Sequence, residues 1–209
     1  MYHQFDIEQW NRKKIYHLFK AYDDPFFNIC SNIDVTALNA FCKSRNYSFS
    51  LTILYYSMET ANELPEFRLR TLGNKLVLFD SIHCGCTILH EDATFSFCYF
   101  KRTATLQQFL REGRILIDEE LQKKTFDPKT TDVDMIHHSV IPWTSFTSIK
   151  HAKKLNTGDT IPKIAFGKYF ENGTKLMMPV SVEVNHALMD GYHVGQYFTN
   201  LQEKINDAG

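Results

Sequence analysis

Ile164-Ala165-Phe166-Gly167-Lys168-Tyr169-Phe170, then Glu171-Asn172-Gly173, then Thr174-Lys175-Leu176-Met177-Met178-Pro179-Val180-Ser181-Val182-Glu183-Val184, is the stretch from which the fold can be read. Two runs rich in β-branched and aromatic residues flank an Asn-Gly dipeptide, which tolerates the positive φ that tight hairpin turns need. The spacing therefore predicts a hairpin with strands over 164–170 and 174–184. In the second strand Val180, Val182 and Val184 share one face by the two-residue period. That strand ends at Asn185-His186. Beyond Asp190-Gly191, the residues Val194, Tyr197, Phe198, Leu201 and Ile205 recur at helical spacing, and Asp190 is placed to cap the helix they form.

Working outward, Ser48 to Leu64 carries Phe49, Ile53, Tyr56 and Thr60 on one stripe, with Pro65 as a stop, and reads as a helix. Thr105 to Lys123 reads as another, with Leu106, Phe109, Leu110, Gly113, Leu116 and Ile117 inward and Glu119, Glu120, Lys123 and Lys124 outward. Between them, 75–80, 87–90 and 95–100 are short strand-like runs. Strands alternating with helices and closing on a long hairpin predict an α/β (α+β) fold, a mixed sheet covered by helices. Nothing repeats and no low-complexity stretch divides the chain, so residues 1–209 are expected to form a single domain.

The composition sets bounds. With 209 residues, 44% of them hydrophobic, the chain can build a core without metal or disulfide support. Twenty-three basic against 24 acidic side chains give a net charge of −1, which argues against a nucleic-acid partner. No apolar run is long enough for a membrane helix. The start, Met1-Tyr2-His3-Gln4-Phe5-Asp6-Ile7-Glu8, lacks the basic and apolar regions of a secretory signal, so a cytoplasmic location is expected. Five cysteines fit reduced thiols better than a disulfide framework. The aromatic excess, 17 Phe and 10 Tyr beside 9 His, exceeds what a core needs and suggests a pocket or an interface.

His186 falls just past a strand end, and a carboxylate, Asp190, follows four residues later at a helix start. A turn between rigid elements is where catalytic groups are often held, and a histidine near its ordinary pKa can take a proton from a hydroxyl at neutral pH. The alternative is a plain turn histidine beside a helix cap. His83-Cys84-Gly85-Cys86 and His90 could in principle bind metal. In a strand, though, both thiols of Cys-x-Cys face one way and His83 the other, which suits a closed tetrahedral site poorly, so no metal is expected. His137-His138, which precedes Ser139 and has no Asp-Gly after it, reads as a strand pair near the pocket, and Cys30 and Cys42 as small packed side chains.

Asn185-His186-Ala187-Leu188-Met189-Asp190-Gly191-Tyr192-His193 resembles the signature of the chloramphenicol acetyltransferase family, His-His-Ala-Val-Cys-Asp-Gly followed by an aromatic and a His. Asn185 replaces the first His and Met189 the Cys. Phe5-Asp6-Ile7 with Trp10-Asn11-Arg12-Lys13, Ile33-Asp34-Val35-Thr36, Glu66-Phe67-Arg68, Thr87-Ile88-Leu89-His90 with Thr94-Phe95-Ser96, and Ser139-Val140-Ile141-Pro142-Trp143 are similar to further family blocks in the same order.

The resemblance implies a two-layer sandwich of the CoA-dependent acyltransferase type. It also implies a homotrimer with active sites between subunits, and acetyl-CoA as co-substrate with no permanently bound cofactor. The acceptor would be chloramphenicol or another small hydroxyl compound. It implies His186 as general base, with its other nitrogen held by its own carbonyl and no acyl-enzyme formed, Ser139 as oxyanion donor, and an Arg12–Asp190 ion pair supporting the turn. Lys168 and Tyr169 would contact the coenzyme. Phe19, Phe95, Phe97, Ala165 and His151 would line the acceptor pocket. Four of these depart from the family pattern: Ala165 stands for a Thr, Phe97 for a smaller residue, Phe19 for a Tyr, and His151 for an apolar side chain. These departures leave open an acceptor of another shape. A catalytically idle binder is the reading from a different class.

Overall fold

A computed structural model describes residues 1–129, 131–155 and 157–208. In chain order the elements are β1 (Tyr2–Gln4), α1 (Lys13–Lys20), β2 (Phe26–Asp34), α2 (Thr36–Arg45), α3 (Phe49–Glu63), α4 (Pro65–Arg68), β3 (Leu69–Leu72), β4 (Lys75–Phe79), β5 (His83–Leu89), β6 (Phe95–Phe100), α5 (Leu106–Lys123), β7 (Met135–Ile141), β8 (Lys163–Gly167), β9 (Phe170–Asn172), β10 (Lys175–Asn185) and α6 (Gly191–Asn206). Strands β2-β10-β8-β7-β5-β6 form the main sheet, with β9 added on β10, and β1-β4-β3 form a small second one. The main sheet is mixed, because β7 runs parallel to both neighbours while the other pairs are antiparallel.

The predicted hairpin is present, with Gly173 at φ +61° in its turn, but its first arm is broken. Residues 163–167 and 170–172 are separate strands because the chain leaves the ladder at Lys168-Tyr169. There Lys168 N donates to Thr144 O (2.8 Å), and Ser145 Oγ donates to Lys168 O (2.6 Å). Gly167 permits this packing. A Cβ placed on it would stand 2.7 Å from the Pro179 ring and 3.0 Å from that of Phe146.

Strand alternation gives the main sheet two unlike faces. Val180, Val182 and Val184, with Ile164, Phe166, His138 and Cys84, point to the side covered by α3 and α6, and all are buried. The other face carries two polar rows. In one, His137, Lys163, Glu183 and Asn28 are in register across four strands; in the other, Ser139, Ala165, Ser181 and Cys30 are. The connection between β7 and β8 crosses over part of this polar face. Asn28 Nδ2 donates to Ile149 O (3.0 Å), and Lys153 lies 3.4 Å from Glu183.

The stripe expected on the first long helix is only part of what is buried: Ile53 and Thr60 are enclosed, and Phe49 is partly so. Leu51, Leu54, Met58 and Ala61 are buried as fully as Ile53, while Tyr56 is half-buried. The cause is that α3 packs against α2, α5, α6 and the sheet at once, so it is enclosed nearly all round. The short run expected at 87–90 is the end of a longer strand beginning at His83. The strand at 95–100, the helix from Leu106 and the final helix match their expected limits closely, and Val194, Tyr197, Leu201 and Ile205 are buried as the periodicity requires.

Buried polar groups tie the layers together. Ser57 Oγ on α3 lies 2.9 Å from His138 Nε2 on β7 and 2.6 Å from Tyr197 OH on α6, and Cys84 Sγ on β5 lies 3.2 Å from His138 Nδ1. Arg70, fully buried, donates to the carbonyls of Phe67, Leu69, Val133 and Met135, stitching the α4–β3 corner to the start of β7. Burial holds its pKa down to about 9.

Ser57→Ala is expected to cost about 2 kcal/mol in urea unfolding, since His138 and Tyr197 would both lose a buried partner. Burial depresses the His138 pKa to about 3, against about 6.5 when unfolded. Neutral His138 therefore supports the fold above about pH 6.5, and this contribution declines as pH falls towards about 3. In His138→Asn the unfolding free energy should fall less steeply across that window; an unchanged acid limb would contradict the assignment.

Candidate functional site

The site residues expected from sequence fall into two groups in one chain. The first is built on the turn after β10. Strand and helix hold both ends of Asn185 to Asp190, and Asn185 organises the middle: its Oδ1 accepts from Ala187 N (2.9 Å) and its Nδ2 donates to Asp159 O (3.1 Å). Asn185, one of the two residues of this turn that depart from the family pattern, is thus its structural pin. His186 N donates to Pro25 O (2.8 Å), fixing the loop before β2 beside it.

The His186 ring lies flat on Phe19, with centroids 3.9 Å apart and planes 5° apart, and Phe27 leans on it at 4.6 Å. Its Nδ1 is buried without a hydrogen-bond partner. The bond from Nδ1 to its own carbonyl, implied by the resemblance, is not made among the described residues; that carbonyl accepts from Arg12 Nη2 at 3.4 Å. The ring is oriented by stacking, and Nε2 makes no hydrogen bond among the described residues.

Arg12 stands beneath this turn and pairs with Asp190 through Nη1 and Oδ2. Asp190 also caps α6. Its Oδ1 accepts from Tyr192 N (3.0 Å), its own N–H reaches His193 Nδ1 (3.1 Å), and His193 Nε2 approaches Glu66 at 3.6 Å. Burial works against the Asp190 carboxylate, but the Arg12 hydrogen bond and charge outweigh it and hold its pKa below the ordinary value.

The second group sits on the polar face of the sheet. Ser139 on β7 is half-buried and forms part of the wall of two cavities. One, about 200 Å³, is bounded by Thr87, Phe97, Tyr99, His137, His151 and Lys163. The other, about 440 Å³ and mainly apolar, runs past Phe95, Leu54 and Ile141 to Trp143. Lys168 and Tyr169 line a third hollow with Phe49 and Pro142, and Tyr169 meets Phe49 edge-on at 5.7 Å.

Phe97 and His151 thus share the smaller cavity with Ser139 and Phe95 the larger one, whereas Phe19 belongs to the His186 group. Ala165, paired with Ser139, is fully buried and lines none of these three cavities. Lys163 was not singled out from sequence, His137 was read only as one of a strand pair, and Asn185 only as a departure from the family signature. The alternation in Met135-Ile136-His137-His138-Ser139 was the available signal, since it sets His137 and Ser139 on one face and His138 on the other.

The two groups do not meet within one chain. Ser139 is two strands from Ser181, and His186 lies five residues farther along, so they are separated by about 10 Å across the sheet and about 16 Å along it. The cysteine cluster contributes neither a nucleophile nor, among the described residues, a group of three metal-capable side chains. Cys84 and Cys86 face the helices, and burial pushes the Cys86 and Cys98 thiols up to about 12. Among the described residues, no helix is long and apolar enough to cross a membrane.

Comparison with known proteins gives one consistent answer. The family profile described as chloramphenicol acetyltransferase matches residues 1–202. A chloramphenicol acetyltransferase of Proteus mirabilis is 30% identical over 204 residues, covering 97% of this chain and 94% of that protein. A solved chloramphenicol acetyltransferase structure superposes with a TM-score of 0.87 at 27% identity, covering 97% and 99% of the two chains. A dihydrolipoamide acetyltransferase of Azotobacter vinelandii, 17% identical with a TM-score of 0.71 over 93% of this chain and 86% of that one, shares the fold. The chain with its stacked His186, its Arg12–Asp190 pair and its Ser139 cavity belongs to the chloramphenicol acetyltransferase family.

Proposed function

We propose that this chain is an acetyl-CoA-dependent O-acetyltransferase, acting on a hydroxyl of chloramphenicol or a similar small acceptor. Its active site is shared between copies in a homotrimer. The observation that carries this is the division of the site. His186 and Ser139 stand too far apart to act on one bond in one chain, yet each is finished in its own place. Symmetric association, which brings one surface of a copy against a different surface of the next, supplies the missing half at every interface.

The chemistry follows from the side chains. Nε2 of His186 takes the proton of the acceptor hydroxyl while its oxygen attacks the thioester carbonyl of acetyl-CoA. The resulting tetrahedral oxyanion accepts a hydrogen bond from Ser139 Oγ. As the intermediate collapses, the C–S bond breaks and the departing thiolate recovers the proton from the imidazolium. No acyl-enzyme is needed, and no protein nucleophile is offered. The apolar groove leading to Ser139 suits the pantetheine arm, with Lys168 and Tyr169 towards the nucleotide end, and the cavity on the other side of Ser139 suits the acceptor. Arg12 and Asp190 act by holding the His186 turn.

Following free thiol with acetyl-CoA and chloramphenicol, His186→Ala should lose roughly 10²–10⁴ in kcat and Ser139→Ala roughly 10²–10³. Turnover that survives the first substitution would sink the mechanism. Thiol release with other alcohols but not chloramphenicol would move the acceptor assignment alone, and release with none would favour an idle binder. Co-refolding the two inactive variants in equal amounts should restore about a quarter of wild-type activity, because each mixed trimer regains one intact site of three; no recovery would place both residues in one subunit. Asp190→Asn should lower stability by about 3 kcal/mol by stranding the Arg12 charge. The wild type should lose that contribution only as pH falls below the ordinary carboxylate range, since the folded pKa is the depressed one.

A further inference from the structure

We propose that His193 is a positioning residue for the base, holding Asp190 on the side away from Arg12 and, through that ion pair, keeping the His186 ring on the face of Phe19. This rests on the reading of His186 as general base. The contacts form a continuous chain. Arg12 Nη1 pairs with Asp190 Oδ2, and Arg12 Nη2 reaches the His186 carbonyl (3.4 Å). Arg12 Nε is buried without a partner, and Asp190 is the one carboxylate paired with this guanidinium among the described residues. Where Asp190 stands therefore decides where Arg12 stands. The N–H and Oδ1 of Asp190 both face His193 Nδ1, at 3.1 and 2.9 Å, and Tyr192 N (3.0 Å) shares Oδ1.

An imidazole suits this place because one nitrogen can serve both groups. In the neutral ring Nδ1 accepts from the Asp190 N–H; with a second proton it donates to Oδ1 instead. Asp190 is held in either form. In the neutral form Nε2 carries the proton and faces Glu66 Oε1 at 3.6 Å, which favours that tautomer and leaves Nδ1 open. The ring has little room to drift. Its side chain is 12% exposed, Tyr192 meets it edge-on at 5.6 Å, and Val194 and Tyr197 behind it on α6 are fully buried. Tyr197 in turn stacks on Phe67 of α4 (5.1 Å), the neighbour of Glu66. The packed helices α6 and α4 thus pass their rigidity to His186 by way of His193, Asp190 and Arg12. His186 depends on such support, since its ring is held by stacking and its Nδ1 has no hydrogen bond to correct a displaced backbone. A misplacement of about 1 Å is enough to cost up to about 10²-fold in rate.

The test compares wild type, His193→Leu and His193→Asn, whose Oδ1 stands where Nδ1 does, each alone and combined with Asp190→Asn. His193→Ala takes the place of Leu if that variant does not keep the wild-type circular dichroism. With acetyl-CoA and chloramphenicol, His193→Leu should lower kcat roughly tenfold with both KM values within about twofold, because no substrate contact is removed. His193→Asn should recover most of that loss. In the Asp190→Asn background, His193→Leu should change kcat by less than about twofold, since both substitutions act through one contact. With isotope-labelled histidines, the His186 ring signal in NMR, identified by its absence from His186→Ala, should move downfield in His193→Leu as the ring leaves the Phe19 face, and return in His193→Asn. A His193→Leu kcat within about twofold of wild type, an unmoved His186 signal, independent losses with Asp190→Asn, or an Asn variant no better than Leu would each overturn the role. Absence of thiol release by wild type would instead count against the acetyltransferase reading, and the His186 signal would still decide the positioning.

Discussion

The two-residue period of β7, β8 and β10, locked in register, is the constraint on which the remainder of the molecule rests. Val182, Ile164 and His138 lie side by side facing the helices, and their sequence neighbours Glu183, Lys163 and His137 lie side by side facing away. A slip of one residue would send Glu183 of β10 or Lys163 of β8, or the polar His137 and Ser139 of β7, to the helix side and an apolar side chain to the polar side. Packing of the apolar side is therefore what aims Ser139, and the helices α3 and α6, which touch no reacting atom, are the reason its hydroxyl stands where it does. The Ser57–His138–Tyr197 contact strengthens this by anchoring β7 from behind, one residue from Ser139.

The turn at His186 solves a different problem. A catalytic imidazole must be held while its reactive nitrogen stays unencumbered, and hydrogen bonding both nitrogens would defeat that purpose. Here orientation comes from the face of Phe19, with Phe27 as a second contact. Around the ring the backbone is pinned at several points: by Pro25, by the Asn185 side chain, and by Arg12, which bonds both the His186 carbonyl and the Asp190 carboxylate. One guanidinium thus joins the start of α1 to the far end of the chain, which is why residues 174 positions apart behave as one unit.

What could be read from sequence divides along physical lines. The terminal hairpin, β10, α5 and α6 were legible because apolar side chains kept to a single stripe or face leave a clean period. β2 was not, since Phe27, Ile29 and Ser31 belong to a strand with several polar positions. α2 was not either, since only Leu38 and Cys42 of its residues are buried. α3 gave the right limits and too narrow a stripe because the helix is enclosed on nearly every side. The residues around His186 were legible through resemblance to a family pattern. Their separation from Ser139 was not, because it depends on strand order: β10 and β7 are kept apart by β8, which no local pattern encodes. Ala165 shows the same limit from the other side, since a position read as lining the pocket is sealed beneath it.

His137 and His138 make the general point most sharply. They are adjacent, chemically identical and in one strand, yet one is open to a cavity and the other fully enclosed with partners on both nitrogens. Burial lowers the pKa of each, so neither difference in charge nor difference in residue type separates their roles; strand parity does. For His138 the enclosed, satisfied ring is a structural strut whose hydrogen bonds are complete without any ligand. For His137 the ring stands exposed at the cavity it shares with Ser139, where solvent reaches its nitrogens. A surplus of imidazoles in a composition is therefore ambiguous until parity is known, and here one strand supplies both meanings.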